Sequence, residues 1–278
     1  MSSKVPPIIL NNGVEMPQLG FGVWQVPDDE AERAVATALE AGYRSIDTAA
    51  IYDNEEGVGK AVAASDVPRE DLFITTKLWN SDQGYDSALR AFDVSLEKLG
   101  LEYVDLYLIH WPLPSRGKFV ETYKAMEKIH ADGRAKAIGV SNFLTEHLET
   151  LIGATSVIPA VNQIELHPQL QQHASREYHA EQGIRTEAWS PLGQGKGLLE
   201  IPAIIAIAQK HNRTPAQIVL RWHIQHGNVV IPKSVTPSRI RENIQVFDFS
   251  LDAEDMAAIG ALNEDRRIGP DPATFDIG

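Results

Sequence analysis

The sequence predicts an α/β protein whose parallel strands close into a (β/α)8 barrel. Short apolar strands alternate with amphipathic helices along all 278 residues, which is typical of a parallel sheet. Eight strands can be counted from Phe21 onward, and such barrels commonly occupy about 250 residues as one unit. An open doubly wound sheet would need a G-x-G-x-x-G fingerprint after its first strand, and Gln25 stands where the third glycine is required. We therefore expect residues 1–278 to form one barrel domain.

A β-hairpin is expected before the barrel. The Asn11-Asn12-Gly13 turn separates apolar residues 8–10 from an alternating stretch, a pattern that favours a primed hairpin turn. The first barrel strand is predicted at 19–24. The following helix, predicted over Asp28–Ala41, ends at Gly42 with a positive φ and has one apolar face, formed by Ala31, Ala34, Val35, Ala38 and Leu39.

The second barrel strand and its loop carry an acid and a tyrosine. Asp47 stands at the carboxyl end of the strand, and Tyr52 follows on the loop. Asn54 is expected to cap the next helix, with Glu55 and Glu56 in the first turn, where the helix dipole favours negative charge. An acid and a tyrosine on one loop suggest a site that handles protons.

The rest of the chain continues the alternation. Helices are predicted from about Tyr85, around 119–126, around 144–151 and from Thr214-Pro215, a cap followed by proline at the first helical position. The remaining strands are predicted at 72–76, 104–109, 135–140, 160–164, 185–189 and 228–231. Glycines at 193, 195 and 197 lack the dinucleotide spacing and are interpreted as a flexible lid or phosphate-side loop.

Polar residues stand at the ends of these predicted strands. In such barrels the carboxyl ends of the strands form the active site, so these residues are expected to converge. Taken singly, each has an ordinary structural explanation, such as a capping acid, a core histidine or a solvated lysine; their joint placement indicates a functional site. They are Asp47, Lys77, His110, Asn142, Gln163 and Lys233.

Composition narrows the possible partners. A net charge of −13 argues against nucleic acid and anionic membranes as main partners. Without cysteine there are no disulfides, thiolate nucleophiles or cysteine–metal sites. No secretory signal and no apolar run of about 20 residues is evident, and the histidines lack paired ligand spacing. We expect a cytoplasmic, monomeric protein without a metal that acts on a small molecule.

Six motifs in order resemble the aldo-keto reductase family over essentially the whole chain. Within this family, the chain is similar to the bacterial 2,5-diketo-D-gluconic acid reductases, including Trp189 where many relatives place a tyrosine. The resemblance implies a TIM barrel whose C-terminal loop, residues 263–278, folds over the substrate pocket, although its composition alone suggests a disordered terminus. The motifs lie at 46–49 with Tyr52, 76–79, 108–111, 138–143, 162–168, and 231–234 with Arg239, Glu242 and Asn243.

The chemistry of carbonyl reduction fits these residues. Addition of hydride leaves negative charge on the carbonyl oxygen, so an acid must deliver a proton there. Tyrosine has an ordinary pKa near 10, which a neighbouring ammonium lowers. Lys77 suits that task, and Asp47 would hold and balance it. The resemblance implies Tyr52 as general acid/base, Lys77 and Asp47 as tuning groups and His110 as the residue that orients the carbonyl.

The resemblance also implies NADPH, bound in extended form. Trp189 would stack on the nicotinamide, and Ser141, Asn142 and Gln163 would bind its carboxamide. A cationic cluster in so acidic a chain would be explained by the 2′-phosphate, although an ordinary surface helix start also accounts for it. The remaining cofactor contacts implied are Ser190, Leu192, Gly193, Lys233, Ser234, Val235, Arg239, Glu242 and Asn243.

Substrate identity stays open at this point. Trp24, Trp79 and Trp111 follow strands and are candidates for the pocket wall, or for barrel packing. Small aldehydes, α-ketoaldehydes such as methylglyoxal and keto sugar acids such as 2,5-diketo-D-gluconate all remain possible. Two other classes also remain: a Schiff-base lyase with Lys77 as nucleophile, and a non-catalytic subunit that senses NADPH.

Overall fold

The computed structural model describes residues 5–278 and contains a closed barrel of eight parallel strands. The strands are β1 (Pro7–Ile9), β2 (Glu15–Pro17), β3 (Phe21–Gly22), β4 (Ser45–Asp47), β5 (Phe73–Leu78), β6 (Val104–Ile109), β7 (Ala135–Ser141), β8 (Val161–Glu165), β9 (Arg185–Trp189) and β10 (Val229–Val230). The helices are α1 (Asp28–Ala41), α2 (Glu55–Ala64), α3 (Tyr85–Leu99), α4 (Phe119–Ala131), α5 (Thr145–Ala154), α6 (His173–Gln182), α7 (Pro202–His211), α8 (Pro215–Gln225), α9 (Pro237–Asn243) and α10 (Ala253–Gly260).

Strands β3 to β10 pair in sequence order, and the first meets the last. Leu19 forms a parallel bridge with Val230, the amide of Gly20 donates to the Val230 carbonyl at 2.8 Å, and the amide of Val230 donates to the Gln18 carbonyl at 3.0 Å. These bonds close the sheet, so the predicted barrel and its count of eight strands are confirmed.

The N-terminal hairpin closes one end of the barrel. β1 and β2 pair antiparallel, as predicted, with Ile8 opposite Met16. Met16 and Leu10 are buried in one apolar cluster with Phe73 and Val161, which begin β5 and β8. The hairpin therefore covers the amino ends of the strands and leaves the carboxyl ends as the open mouth.

Several predicted elements are confirmed in their bounds. Helix α1 spans Asp28–Ala41, its buried residues are the five predicted, and Gly42 has φ 106°. Thr214 accepts a hydrogen bond from the amide of Gln217, which makes it the predicted cap of α8. Only Phe21–Gly22 of the predicted first strand is regular. Helices α6, α7 and α10 were not predicted.

The predicted capping role of Asn54 is wrong. Asn54 stands at the N-cap position of α2, but its side chain makes no capping bond. Its amide donates to the carbonyls of Val23 and Val26, both at 2.9 Å, and its oxygen accepts from the Thr48 hydroxyl at 2.7 Å. Buried backbone carbonyls need donors, so Asn54 fastens the loop after β3 to the loop after β4.

Candidate active site

Lys77 and Asp47 form an ion pair inside the barrel mouth. Nζ of Lys77 lies 2.6 Å from Oδ1 of Asp47 and donates to the Thr48 carbonyl at 2.9 Å. Lys77 is fully buried within β5, one residue before its end. Burial alone would lower the pKa of Lys77, but Asp47 and Tyr52 outweigh it and raise this pKa. The lysine is therefore a buried ammonium at neutral pH.

Tyr52 lies beside this pair, at the end of a 3-10 turn that follows β4. Its ring centroid is 5.1 Å from Nζ of Lys77. Burial raises the pKa of Tyr52 and outweighs the ammonium of Lys77, which lowers it. Lys77 therefore acts on the pKa of Tyr52 in the predicted direction, but burial, which the sequence did not reveal, raises this pKa overall. Tyr52 thus carries its proton at neutral pH.

His110 follows β6 and faces Tyr52. The two ring centroids are 5.7 Å apart with an interplanar angle of 76°. Burial, assisted by the charge of Lys77, holds the pKa of His110 well below its usual range, so the ring is neutral. Asp47, Tyr52, Lys77 and His110 are therefore brought together, and a neutral donor stands beside a protonated phenol.

The predicted carboxamide-binding residues form one network. The hydroxyl of Ser141 donates to the Gln163 carbonyl at 2.7 Å, and the side-chain amide of Asn142 donates to the His110 carbonyl at 3.0 Å. Asn142 has φ 64°, a left-handed conformation that asparagine tolerates better than most residues. The indole Nε1 of Trp189 donates to Oδ1 of Asn142 at 2.8 Å. Asn142 also donates to the Ser141 hydroxyl at 3.1 Å, so four predicted residues on or directly after three strands are connected.

The sequence analysis did not identify a further member of this network, Glu187. Nε2 of Gln163 donates to Oδ2 of Asp47 at 2.8 Å and to Oε2 of Glu187 at 2.9 Å. Burial, assisted by the charge of Asp47, raises the pKa of Glu187 to about 8. The signal was available: side chains alternate along a strand, so Glu187 shares the inward face of β9 with Trp189.

The loop after β10, together with α9, carries the predicted phosphate- and adenine-binding residues. Lys233 and Arg239 are exposed, and neither forms an ion pair within residues 5–278. Glu242 accepts a hydrogen bond from the Thr214 hydroxyl at 2.8 Å. Thr214, which the sequence analysis did not assign to the site, lines the same cleft as Ser234 and Asn243. Val235 is exposed but does not line the cleft.

The glycine-rich loop after β9 runs along the cleft. Ser190 and Leu192 line the cleft, whereas Gly193 packs beneath it, where a Cβ would meet Cβ of Leu198 at 2.8 Å. Gln194 donates to the Ser190 hydroxyl at 2.7 Å and joins the lining. The loop therefore lies where a lid or a phosphate-binding loop would be placed.

Three tryptophans line the mouth near the catalytic residues. Trp79 lies 5.2 Å from His110 between ring centroids, Trp111 is buried and Trp24 is 41% exposed. The ring of Phe275, in the C-terminal segment, packs against Trp111 with the ring centroids 4.3 Å apart and an interplanar angle of 42°. The tail folds over the pocket, as the resemblance implied and contrary to the disorder that composition suggested.

The tail is fastened at several places. Glu165, fully buried at the end of β8, accepts the amides of Ile268 at 2.6 Å and Gly269 at 2.9 Å. A Cβ at Gly269 would lie 2.5 Å from Cη2 of Trp189, so only glycine allows this approach. Further along, Asp276 pairs with Arg116.

A single cleft of about 1160 Å³ joins these regions. Of the residues predicted for the site, Lys77, Gly193 and Val235 do not line it; the others do. Within residues 5–278, no cluster of three or more histidine or acidic side chains is arranged to hold a metal. Over the same range, no helix is both long enough and apolar enough to span a bilayer.

Comparison with known proteins agrees with this geometry. The model of the aldo/keto reductase family matches residues 17–264. An aldo-keto reductase of Mycolicibacterium smegmatis is 59% identical over 98% of both chains, and a methylglyoxal reductase of Yersinia pestis is 55% identical over 97% of both. The crystal structure of a Gox0644 mutant in complex with NADPH is 52% identical, with a TM-score of 0.95 over 99% of this chain and 100% of that one.

Proposed function

Because the chain belongs to the aldo/keto reductase family, we propose that it catalyses the NADPH-dependent reduction of small aldehydes and ketones to alcohols. The observation that carries the proposal is the position of Tyr52 beside the buried Lys77–Asp47 pair, with the His110 ring facing it. This is the set of groups that delivery of a proton to a carbonyl oxygen requires.

The cleft fits NADPH. Its wall runs from Tyr52 to Arg239 without interruption, and its volume exceeds what a small carbonyl compound needs. The cations Lys233 and Arg239 form no ion pair within residues 5–278, so both remain available for a phosphate. The face of Trp189 and the amide of Gln163 would hold the nicotinamide end.

In the proposed reaction, bound NADPH supplies the hydride, and the chain positions the carbonyl and provides the proton. His110, as a neutral ring, donates to the carbonyl oxygen and orients it. Tyr52 gives its proton to the same oxygen, and the adjacent Lys77 ammonium stabilises the phenolate that results. Asp47 holds the ammonium in place and balances its charge.

The distribution of basic side chains on the cleft wall favours substrates without a carboxylate. Within residues 5–278, the basic side chains that line the cleft are Lys233 and Arg239, both beyond β10 and assigned to the cofactor phosphate. Near Tyr52 the cleft wall carries the rings of Trp24, Trp79 and Trp111 and the carboxyl of Asp47, and Arg116 is already paired with Asp276. A carboxylate there would lose its hydration without gaining a cation. We therefore favour α-ketoaldehydes of the methylglyoxal type over 2,5-diketo-D-gluconate.

The substrate class is tested by kcat/KM for both compounds at low and high salt. We expect methylglyoxal to be reduced with at least tenfold higher kcat/KM than 2,5-diketo-D-gluconate, because an unpaired buried charge costs more than about 1.4 kcal/mol. Preference for the sugar acid that disappears at high salt would show that a cation binds its carboxylate and would overturn the substrate assignment.

Two other functions make different predictions. A sensing subunit would bind NADPH tightly and show no turnover with a broad panel of carbonyl compounds. A Schiff-base lyase would form a covalent adduct at Lys77 when borohydride is added with a carbonyl substrate. The buried ion pair of Lys77 with Asp47 disfavours the lyase, because a protonated amine is not nucleophilic.

We further propose that the chain is a single barrel domain that acts as a cytoplasmic monomer. Support comes from the exposed apolar side chains: Trp24 lies on the cleft wall, whereas others such as Val94 and Ile205 are on separate helices. Light scattering at micromolar concentration tests the monomer, and cell fractionation tests the location. A stable dimer, or recovery with the membrane fraction, would overturn the respective assignment.

A further inference from the structure

Glu187 is a buried carboxyl that the proposed reaction leaves unexplained. It lies at the centre of β9 and is fully buried. Oε2 accepts from Gln163, whereas Oε1 has no hydrogen-bond partner within residues 5–278. Over the same residues no ion pair includes Glu187. A carboxyl group buried with one donor and no ion pair is costly, so an apolar residue would serve packing better.

The contacts of Glu187 pass through Gln163 to the catalytic pair. Nε2 of Gln163 donates to Oδ2 of Asp47 at 2.8 Å and to Oε2 of Glu187 at 2.9 Å, so both of its hydrogens are used. Rotation of this amide would break both bonds. The two bonds therefore impose one orientation on the Gln163 amide. In this orientation Oε1 of Gln163 is the atom that can accept a hydrogen bond from a ligand in the cleft.

The charges around Glu187 come from several elements of the barrel. Asp47 is already paired with Lys77, so an ionised Glu187 adds a second negative charge around one ammonium. Burial and Asp47 raise the pKa of Glu187 to about 8, which leaves it protonated at pH 7. The groups that face it are Asp47 on β4, Tyr52 after β4, Lys77 on β5, Gln163 on β8 and the apolar Val229 on β10.

We propose that Glu187 is a positioning residue: with Asp47 it fixes the Gln163 amide for the cofactor, and its negative charge at alkaline pH keeps Tyr52 protonated. A negative charge near a phenol opposes formation of the phenolate. Ionised Glu187 therefore extends the pH range over which Tyr52 can act as an acid. The proposal rests on the proposed function, because it assigns roles toward NADPH and the carbonyl.

The pH profile of carbonyl reduction tests the charge. Glu187→Gln keeps the shape and an acceptor for Gln163 but never ionises. We expect the alkaline limb of kcat to move to lower pH by about one unit in this variant. Glu55→Gln is the matched control, since Glu55 is also buried but its carboxyl accepts from the Thr76 hydroxyl. An alkaline limb at the same pH in Glu187→Gln and wild type would overturn the charge role.

Binding of NADPH tests the orientation of Gln163. Glu187→Leu removes the acceptor, frees the amide and should weaken NADPH binding by about tenfold, because a well-oriented hydrogen bond is lost. Glu187→Gln should bind within about twofold of wild type, because it restores the acceptor. Equal affinity of Glu187→Leu and wild type would contradict the orientation role, and so would equal loss in both variants.

Two measurements on the protein without cofactor separate this inference from the proposed function. The infrared band of a protonated carboxyl should be present at pH 7, decrease as the pH rises past about 8 and be absent in Glu187→Gln. The ultraviolet titration of Tyr52, taken as the difference from Tyr52→Phe, should move to lower pH in Glu187→Gln. Both results are expected even if the protein reduces no carbonyl compound. If neither result is obtained while turnover is normal, the role of Glu187 is overturned and the proposed function is not.

Discussion

Nε1 of Trp189 lies 2.8 Å from Oδ1 of Asn142, so a hydrogen bond joins the end of β9 to the loop that follows β7. Asn142 donates in turn to the His110 carbonyl at 3.0 Å. The predicted nicotinamide platform and the loop that carries His110 are thereby one structural unit. Changes at Trp189 are expected to reach cofactor binding through both stacking and this bond.

Trp189→Phe keeps an aromatic face and removes the hydrogen bond. We expect NADPH affinity to fall roughly fivefold, the effect of one hydrogen bond of about 1 kcal/mol, as measured by calorimetry. Trp24→Phe is the control for loss of an indole on the same cleft. Unchanged affinity in Trp189→Phe would show that the bond to Asn142 does not support the platform.

Arg239→Ala should weaken NADPH binding by about 10- to 100-fold and leave NADH binding nearly unchanged, because a charge-assisted bond contributes about 1.5–3 kcal/mol. Arg241→Ala is a matched control: Arg241 lies on the same helix but is 3.9 Å from Glu40 on the surface. An equal loss for both cofactors would place Arg239 away from the 2′-phosphate.

Lys77→Met should lower the free energy of unfolding by about 3–5 kcal/mol, because Asp47 would be left as an uncompensated buried charge. The double variant Asp47→Asn/Lys77→Met removes both charges and should recover part of that loss in a denaturant titration. A double variant less stable than the sum of the single changes would contradict a paired interaction.

The stability difference between Glu187→Gln and wild type should depend on pH. The folded-state pKa of Glu187 is raised to about 8, so wild type loses stability as the pH rises from the ordinary glutamate range toward 8. The melting temperature of Glu187→Gln relative to wild type should therefore increase between about pH 5 and pH 8 and then level off. A constant difference across this range would mean that Glu187 is ionised in both states.

Glu165→Gln should loosen the C-terminal segment. Burial would raise the pKa of Glu165, but the hydrogen bonds from the His167 ring and from the amides of Gly269 and Ile268 outweigh it and lower this pKa. The stabilisation that ionised Glu165 gives the tail is therefore present above the ordinary glutamate pKa and is lost as the pH falls through the folded-state pKa. We expect faster proteolysis of the tail and a higher KM for carbonyl substrates. Asp265→Asn, an exposed change in the same segment whose side chain bonds only Asn263, should show neither effect.

Sequence reasoning succeeded where one strand or helix decided the outcome. The apolar face of α1, the cap at Thr214 and the strand-end positions of Asp47 and His110 all follow from local periodicity and the position of each residue in its element. Their convergence followed from the rule that strand ends meet at one mouth.

The parts that were missed depend on contacts between distant segments. Gln163 and Asp47 are 116 positions apart, and the contact between Glu165 and Gly269 spans 104 positions. The side chain of Asn54 was assigned to its own helix because local rules favour a cap, whereas the carbonyls of an earlier loop take its donors. The hydrogen-bond partners of these side chains are set by the packing of the barrel, and no local sequence pattern indicates them.

The role of Tyr52 as proton donor is tested by comparing wild type with Tyr52→Phe in the reduction of methylglyoxal, with NADPH binding measured on both proteins. We expect turnover in wild type and a loss of at least about a hundredfold in kcat in Tyr52→Phe, because general acid catalysis contributes that much or more. NADPH affinity should be the same in both. Equal turnover by the two proteins would contradict Tyr52 as the proton donor, and tight NADPH binding without turnover in wild type would contradict the reductase itself.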